Sequence, residues 1–399
     1  MMPAPLALIA HWARSAVVPR GGAFNALQAH EIASPVVQAL LQGAGLDRAA
    51  VDVVVLGNAL GAGGNPARML ALHAGLPQRC AAYTLDTQCC AGLDAVATGA
   101  ALIASGQAQV VIAGGAEAWS RSPMRMHRPL HPGVAPVPYE RPAFAPTPEQ
   151  DPDMLLSAAR YAAAHGYTRS EQEAYALNSH ARAVASQDLL ATEIVPLLGV
   201  RHDAYPRLIS AERAARMPVV ACAENAAPST FGLSTLTISA QADGAAFVLL
   251  MSAQACAKWD VTASMALKAH ASVGSAPEIP LIAAELAARE VLKRAGDLKQ
   301  HELACVELHD AFAVQALSFA KGLGLRPEQL NLHGGGIARG HPIGASAAVA
   351  LVRLLSDLAR HEQPDAKGLV AVAGAGGLGS AGVVQKLWGD LHDQLNFLP

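Results

Sequence analysis

The chain of 399 residues is 52% hydrophobic, 4% aromatic and 15% charged, with 35 glycines and a formal net charge of −3. Its mean hydropathy of +0.26 excludes a disordered protein, which needs low hydrophobicity and high net charge. The near-neutral balance excludes an electrostatic footprint for nucleic acid or an anionic membrane. The length suits two or three domains or halves. The charged fraction, against about 25% in a typical soluble chain, suggests a subunit that hides part of its surface in an oligomer.

In chain order, Met1 to Arg20 holds a short apolar stretch interrupted by His11, Trp12 and Arg14. It lacks the charged-then-apolar order of a signal peptide and reads as a first strand. No apolar run reaches the roughly 18–20 residues of a membrane helix, so a cytoplasmic protein is expected. Val51 to Gly57, Gln109 to Gly115, Ala245 to Met251 and Leu369 to Gly374 are apolar runs bounded at one end by glycine. Such runs predict strands buried on both faces of an α/β protein. Between them, Gly92 to Ala104, Ser170 to Ser186, Ala283 to Ala295 and Ala345 to Arg360 predict helices, with Ser170 and Glu173 as a capping box. Residues 121–152 carry nine prolines and predict an irregular, functional segment. Two similar α/β halves with residues 121–233 inserted as a loop domain are therefore expected. Gln109-Val-Val-Ile-Ala-Gly-Gly-Ala-Glu faintly echoes Leu369-Val-Ala-Val-Ala-Gly-Ala-Gly-Gly.

The six cysteines form no CxxC and stand near no histidine pair at zinc spacing, which supports neither a metal site nor a disulfide framework. One local signal is Thr84-Leu-Asp-Thr-Gln-Cys89-Cys90, where a polar turn runs straight into an alanine-rich helix. A cysteine at a helix N-terminus meets free N–H donors and the positive end of the macrodipole, which favour the thiolate that attacks thioesters. A buried, unreactive cysteine is the alternative. The second signal is Gly334-Gly-Gly-Ile-Ala-Arg-Gly-His341-Pro-Ile-Gly, which places His341 at a helix start as a neutral imidazole able to activate a thiol or bind an oxyanion. It matches neither phosphate-loop pattern, and a tight turn with a structural histidine is the alternative. The third is Val306-Glu-Leu-His309-Asp310, a strand end bearing two polar groups, with Asp310 as a helix N-cap as the alternative. The glycine-rich run from Ala373 to Gly382 offers backbone amides near a strand end.

Together, in this order and spacing, these segments resemble the thiolase superfamily (acetyl-CoA acetyltransferases and 3-ketoacyl-CoA thiolases) over nearly the whole chain. The Cys89 block is similar to the nucleophile motif, Gly114-Gly-Ala-Glu117-Ala-Trp-Ser120 to its GGxExxS strand end, and the His309 and Gly-His-Pro blocks to its remaining site motifs. The resemblance implies a layered α-β-α-β-α fold of two halves. Residues 1–120 plus 234–260 would form the N-terminal half, 121–233 the loop domain over the coenzyme A site, and 261–399 the C-terminal half. It also implies a homodimer or homotetramer, no permanently bound cofactor and a coenzyme A thioester as substrate. Cys89 would carry the acyl group, His341 would activate it, and His309 would support the oxyanion site around the incoming acyl-CoA. Backbone N–H groups of Cys89 and Ala375 would hold the acyl-enzyme oxygen, while Met154, Ser239, Ala311 and Phe312 would line the pantetheine site.

One departure matters most. Thiolases use a second cysteine to move the proton at the substrate α-carbon, and its two possible positions are here Ala373 and Ala311. A missing general base commonly costs about 10²–10⁴ in rate. Acyl transfer through Cys89, with impaired Claisen chemistry, is therefore the first expectation. A decarboxylating or hydrolytic enzyme using the Cys–His–His set is the second, and a non-catalytic acyl-CoA-binding subunit the third.

Overall fold

The computed structural model describes residues 7–61 and 63–387. Nine strands carry the architecture: β1 (Leu8–Ser15), β2 (Val53–Gly57), β3 (Ala81–Leu85), β4 (Val110–Ala118), β5 (Ala242–Met251), β6 (Met265–Gly274), β7 (Leu303–His309), β8 (Lys367–Gly374) and β9 (Leu378–Lys386). Eight helices pack on them: α1 (Ala29–Gly43), α2 (Pro66–His73), α3 (Ala91–Ala104), α4 (Met154–His165), α5 (Arg169–Ala185), α6 (Ala283–Arg294), α7 (Ala313–Leu323) and α8 (Ser346–Arg360).

The strands run in the order β3-β2-β4-β5-β1 and then β6-β9-β8-β7. Among the described residues, the two groups pair where Leu8 and Ile9 meet Ala266 and Met265. Within each group the pattern repeats. β4 pairs antiparallel with β5 and parallel with β2, as β8 pairs antiparallel with β9 and parallel with β7. The echoing segments at 109 and 369 thus occupy equivalent strands. In the second half a single parallel bridge, Val306 to Leu330, stands where β3 completes the first.

Alternation along the strands builds five layers, because successive side chains face opposite sides of a sheet. Val54, Val110 and Ile112 face outward with α1 and α2. Their neighbours Val53, Val111 and Ala113 share a core with α3, α8, Val370 and Val372. Leu369, Ala371 and Val383 then face α6 and α7 on the far side. Strands covered on both faces need apolar residues at every position, which is why these runs show no polar alternation.

The central helices approach at backbone range. A Cβ on Gly92 of α3 would lie 2.9 Å from the Ala348 Cβ of α8 and 2.9 Å from the Gly344 carbonyl oxygen. A Cβ on Gly115 of β4 would lie 2.0 Å from that same oxygen.

Two expectations are corrected, and one alternative reading fails. The capping box of α5 is Thr168 with Glu171, not Ser170 with Glu173; Thr168 stands before the first turn with extended backbone, as an N-cap must. The proline-rich segment contains a short hairpin, Arg125–His127 against Val137–Tyr139. Asp310 does not cap α7, whose N-cap is Phe312; its carboxylate accepts instead from Tyr175 Oη at 2.7 Å and from the Gly336 N–H.

Gly115→Ala is expected to destabilise the fold by about 1–3 kcal/mol through overpacking. Thermal unfolding checks this, and an unchanged Tm would contradict it.

Candidate active site

β3 ends at Leu85, and the chain then turns sharply into α3. Asp86 Oδ1 accepts from the Gln88 N–H at 3.0 Å and from its side-chain Nε2 at 3.1 Å. Gln88 itself has φ of +55°, a left-handed conformation that costs about 1–3 kcal/mol for a residue with a Cβ. The turn sets adjacent cysteines in opposite environments. Cys89 is half-buried at the wall of a cavity, whereas Cys90 is buried, with Sγ 3.9 Å from the Val372 carbonyl oxygen.

His341 arrives from the second half. Its backbone N–H donates to the Ala240 carbonyl at 2.7 Å, and the following turn leads into α8. Nε2 lies 3.3 Å from Cys89 Sγ. Nδ1 lies 2.8 Å from Ser346 Oγ and 2.5 Å from His309 Nε2. The two imidazoles are tilted by 20° with centroids 4.6 Å apart. Nitrogens so much closer than the centroids meet edge to edge, as an N–H···N bond requires. Ser346 Oγ is also 3.1 Å from the Pro342 carbonyl; with its hydrogen donated there, Ser346 Oγ and His309 Nε2 are both acceptors for His341 Nδ1–H. That tautomer leaves Nε2 as the acceptor facing the thiol.

Burial decides the protonation states. It pushes the Cys89 thiol up to about 12, against the downward pull of the Ala375 N–H and of the residue's own N–H. It lowers His341 to about 4, and it holds His309 well below the ordinary imidazole value with help from His341 and Arg339. The thiolate expected from the helix N-terminus is therefore not the resting state: desolvation outweighs the favourable dipole. The pair rests as neutral thiol and neutral imidazole.

The cavity measures about 690 Å³ and is lined by Cys89, His341 and Ala375 together with Met154, Ser239, Ala311 and Phe312. His309 is outside its wall, behind His341, so it meets the histidine rather than the space expected for an oxyanion. The backbone N–H groups of Ala375 and Cys89 favour the charged form of the Cys89 thiol, as donors beside a thioester oxygen would have to. Ala373 and Ala311 each expose only a methyl group to this cavity, and neither Cys90 nor Cys305 lines it. Cys305 lies buried on β7.

Glu117 is the residue whose part sequence reasoning missed. Buried in β4, its carboxylate accepts from Asn58 Nδ2 at 2.8 Å and from the N–H groups of Ala59 and Gly344, each at 3.0 Å. It thereby ties the loop after β2 to the turn carrying His341. Burial pushes its carboxyl up to about 7 despite these donors. The available signal was an acidic residue closing an otherwise apolar strand, since charges are almost never fully buried unless paired.

The fold and this site define a cysteine–histidine enzyme architecture of two duplicated halves. Residues 7–254 match the family described as thiolase, N-terminal domain, and residues 261–386 match thiolase, C-terminal domain. The chain belongs to the thiolase family. An acetyl-CoA acetyltransferase of Rhizobium meliloti (strain 1021) is 35% identical, covering 96% of this chain and 99% of the relative. One from Chromobacterium violaceum is 34% identical over 94% of this chain and 97% of its own. Among solved structures, the Acat5 thiolase from Ascaris suum in complex with coenzyme A superposes with a TM-score of 0.86 at 25% identity, covering 96% of this chain and 100% of the other. The Bacillus anthracis acetyl-CoA acetyltransferase gives 0.87 at 27% identity, over 97% and 100%.

A thiol held near 12 predicts that alkylation of Cys89 by iodoacetamide keeps rising through pH 9, because the thiolate fraction grows about tenfold per pH unit below the pKa. A rate that levels off below pH 8 would instead indicate a thiolate–imidazolium pair.

Proposed function

We propose that this protein is an acyltransferase that takes the acyl group of a coenzyme A thioester onto Cys89. The observation that carries the reading is the 3.3 Å contact between Cys89 Sγ and His341 Nε2 at the cavity wall. Because both groups rest neutral, the thiol proton passes to Nε2 as sulfur attacks the thioester carbon. The N–H groups of Cys89 and Ala375 hold the developing oxyanion, and the carbon–sulfur bond to coenzyme A breaks as the proton moves from Nε2 to the leaving thiolate. His309 and Ser346 act through His341: they are positioning residues that hold its tautomer. Met154, Ser239, Ala311 and Phe312 take the pantetheine arm.

The second step then transfers the acyl group to a carbon nucleophile. Where a thiolase places its second cysteine there are the methyls of Ala373 and Ala311, so the proton at the acceptor α-carbon has no thiol to receive it. This favours a second reading for that step alone, in which loss of carbon dioxide from a carboxylated acceptor generates the carbanion.

Incubation with acetyl-CoA is expected to add one acetyl mass, located by peptide mapping on Cys89. His341→Asn should slow this by about 10²–10⁴, and an unmodified Cys89 across several acyl-CoA chain lengths would refute the reading. Ala373→Cys should raise acetoacetyl-CoA cleavage at least tenfold; release of carbon dioxide from malonyl-CoA by the unmodified protein would support the decarboxylating second step.

The surface also supports a homodimer. β3 is an edge strand that leads directly to Cys89; Tyr83 on it is 49% exposed on one face of the sheet, and Met69 (51%) and Leu72 (48%) of α2 are exposed on the other. An exposed strand edge flanked by apolar side chains is a template for pairing with a second copy. Tyr83→Lys is expected to shift the protein toward monomer in sedimentation velocity, and an unchanged species would place the contact elsewhere.

A further inference from the structure

The acyl group that enters this site is left open by the acyl-cysteine reading, and the cavity wall carries a feature that bears on it. Three arginines line the cavity. Arg141 is paired with Asp151, and Arg20 is exposed and donates to Gln241 at 3.1 Å. Arg125 differs from both. It is half-buried, and among the described residues its guanidinium makes one hydrogen bond, a long one of 3.4 Å from Nη2 to the Ala59 carbonyl, and enters no ion pair.

The position of that guanidinium follows from a short series of contacts. Ala59 succeeds Asn58, whose N–H donates to the Leu85 carbonyl at 3.0 Å. Leu85 closes the strand that turns into Cys89. Arg125 is thus anchored at the nucleophile end of the cavity, whereas the pantetheine side is built from Ser239, whose N–H donates to the Ala311 carbonyl, with Met154 and Phe312. Leu60, Trp119, Pro138 and Ile343 line the same cavity. The Trp119 ring lies 6.4 Å from that of His341.

A guanidinium always carries its charge and presents five donors in a planar fork that matches a carboxylate. Partly removed from water beside apolar walls, with one weak bond and no counter-ion, it is an anion-binding group whose anion must come from the ligand. We infer that Arg125 recognises a carboxylate at the far end of the acyl group, so that the preferred donors are thioesters of dicarboxylic acids. The inference rests on the acyl-cysteine reading. The phosphates of coenzyme A are the other anions within the same substrate, and they are common to every acyl-CoA, so only a comparison of acyl groups separates the two.

The experiment is single-turnover acylation of Cys89 by glutaryl-CoA and adipyl-CoA against pentanoyl-CoA and hexanoyl-CoA, followed by mass. The carboxylated thioesters are expected to acylate at least tenfold faster. Arg125→Met should invert the ratio, and Arg125→Lys should retain part of it, because an ammonium keeps the charge without the bidentate fork. Faster acylation by the neutral thioesters in the unmodified protein overturns the inference and leaves the acyl-cysteine reading standing. So does an Arg125→Met variant whose ratio is unchanged, including one that slows all four alike, since the guanidinium then meets the coenzyme A phosphates. No acylation by any thioester overturns the acyl-cysteine reading and this inference with it.

Discussion

The contact of α3 with α8 is the constraint on which the site depends. Each helix belongs to a different half, and each begins at a chemically important residue: α3 just after Cys89, and α8 a few residues beyond His341. Buried between two sheets, α3 comes this close to α8 because Gly92 has no side chain to hold it off the Ala348 Cβ and the Gly344 carbonyl oxygen, and Gly115 presses on that same oxygen. A few tenths of an ångström there would be transmitted to the thiol–imidazole distance, because close-packed interiors do not absorb strain locally. Glu117 adds a polar clamp at the same junction, joining the loop after β2 to the backbone of Gly344.

Much of the architecture was legible in the chain because buried parallel strands and alanine-rich helices have distinct patterns. The runs expected from 51, 109, 245 and 369 overlap observed strands, the first two beginning two residues and one residue late, and the four helix expectations agree with the observed helices to within a residue at each end. The start of α5 was misassigned since Thr168-Arg-Ser-Glu171 and Ser170-Glu-Gln-Glu173 both satisfy the same four-residue pattern, and only backbone dihedrals choose between them. At the site, Cys89 and the glycine-framed His341, which the fold brings to 3.3 Å from each other, were readable as candidates from local sequence. The edge-to-edge contact of His309 with His341 was not, because it joins residues 32 positions apart through a fold that local pattern does not encode. Nor was the neutral thiol. Helix position argued for a thiolate, and the desolvation that reverses it comes from residues spread along the whole chain.

The protonation state also links the two chemical peculiarities of this cavity. In the proposed reaction, a neutral Cys89 and a neutral His341 would make acylation depend on the arrival of the thioester, since only then would the N–H groups of Cys89 and Ala375 have an oxyanion to stabilise. The methyls of Ala373 and Ala311 would leave the following step without a corresponding thiol. On that reading the chain keeps the groups for capturing an acyl group more completely than those for making a carbanion.

The duplication is imperfect at one place, and that imperfection has a geometric consequence. The first half ends in β3, an open edge; the second ends in β7, which is largely buried and carries the Leu330 bridge, with the Asn331 side chain accepting from Leu308. A perfectly repeated chain would offer a free edge at both extremes of its sheet, and copies could add head to tail without limit. With one open edge among the described residues, the proposed strand pairing between copies would use the same surface on each and be complete at two. The shorter second repeat would thus set a stopping rule for growth of the sheet.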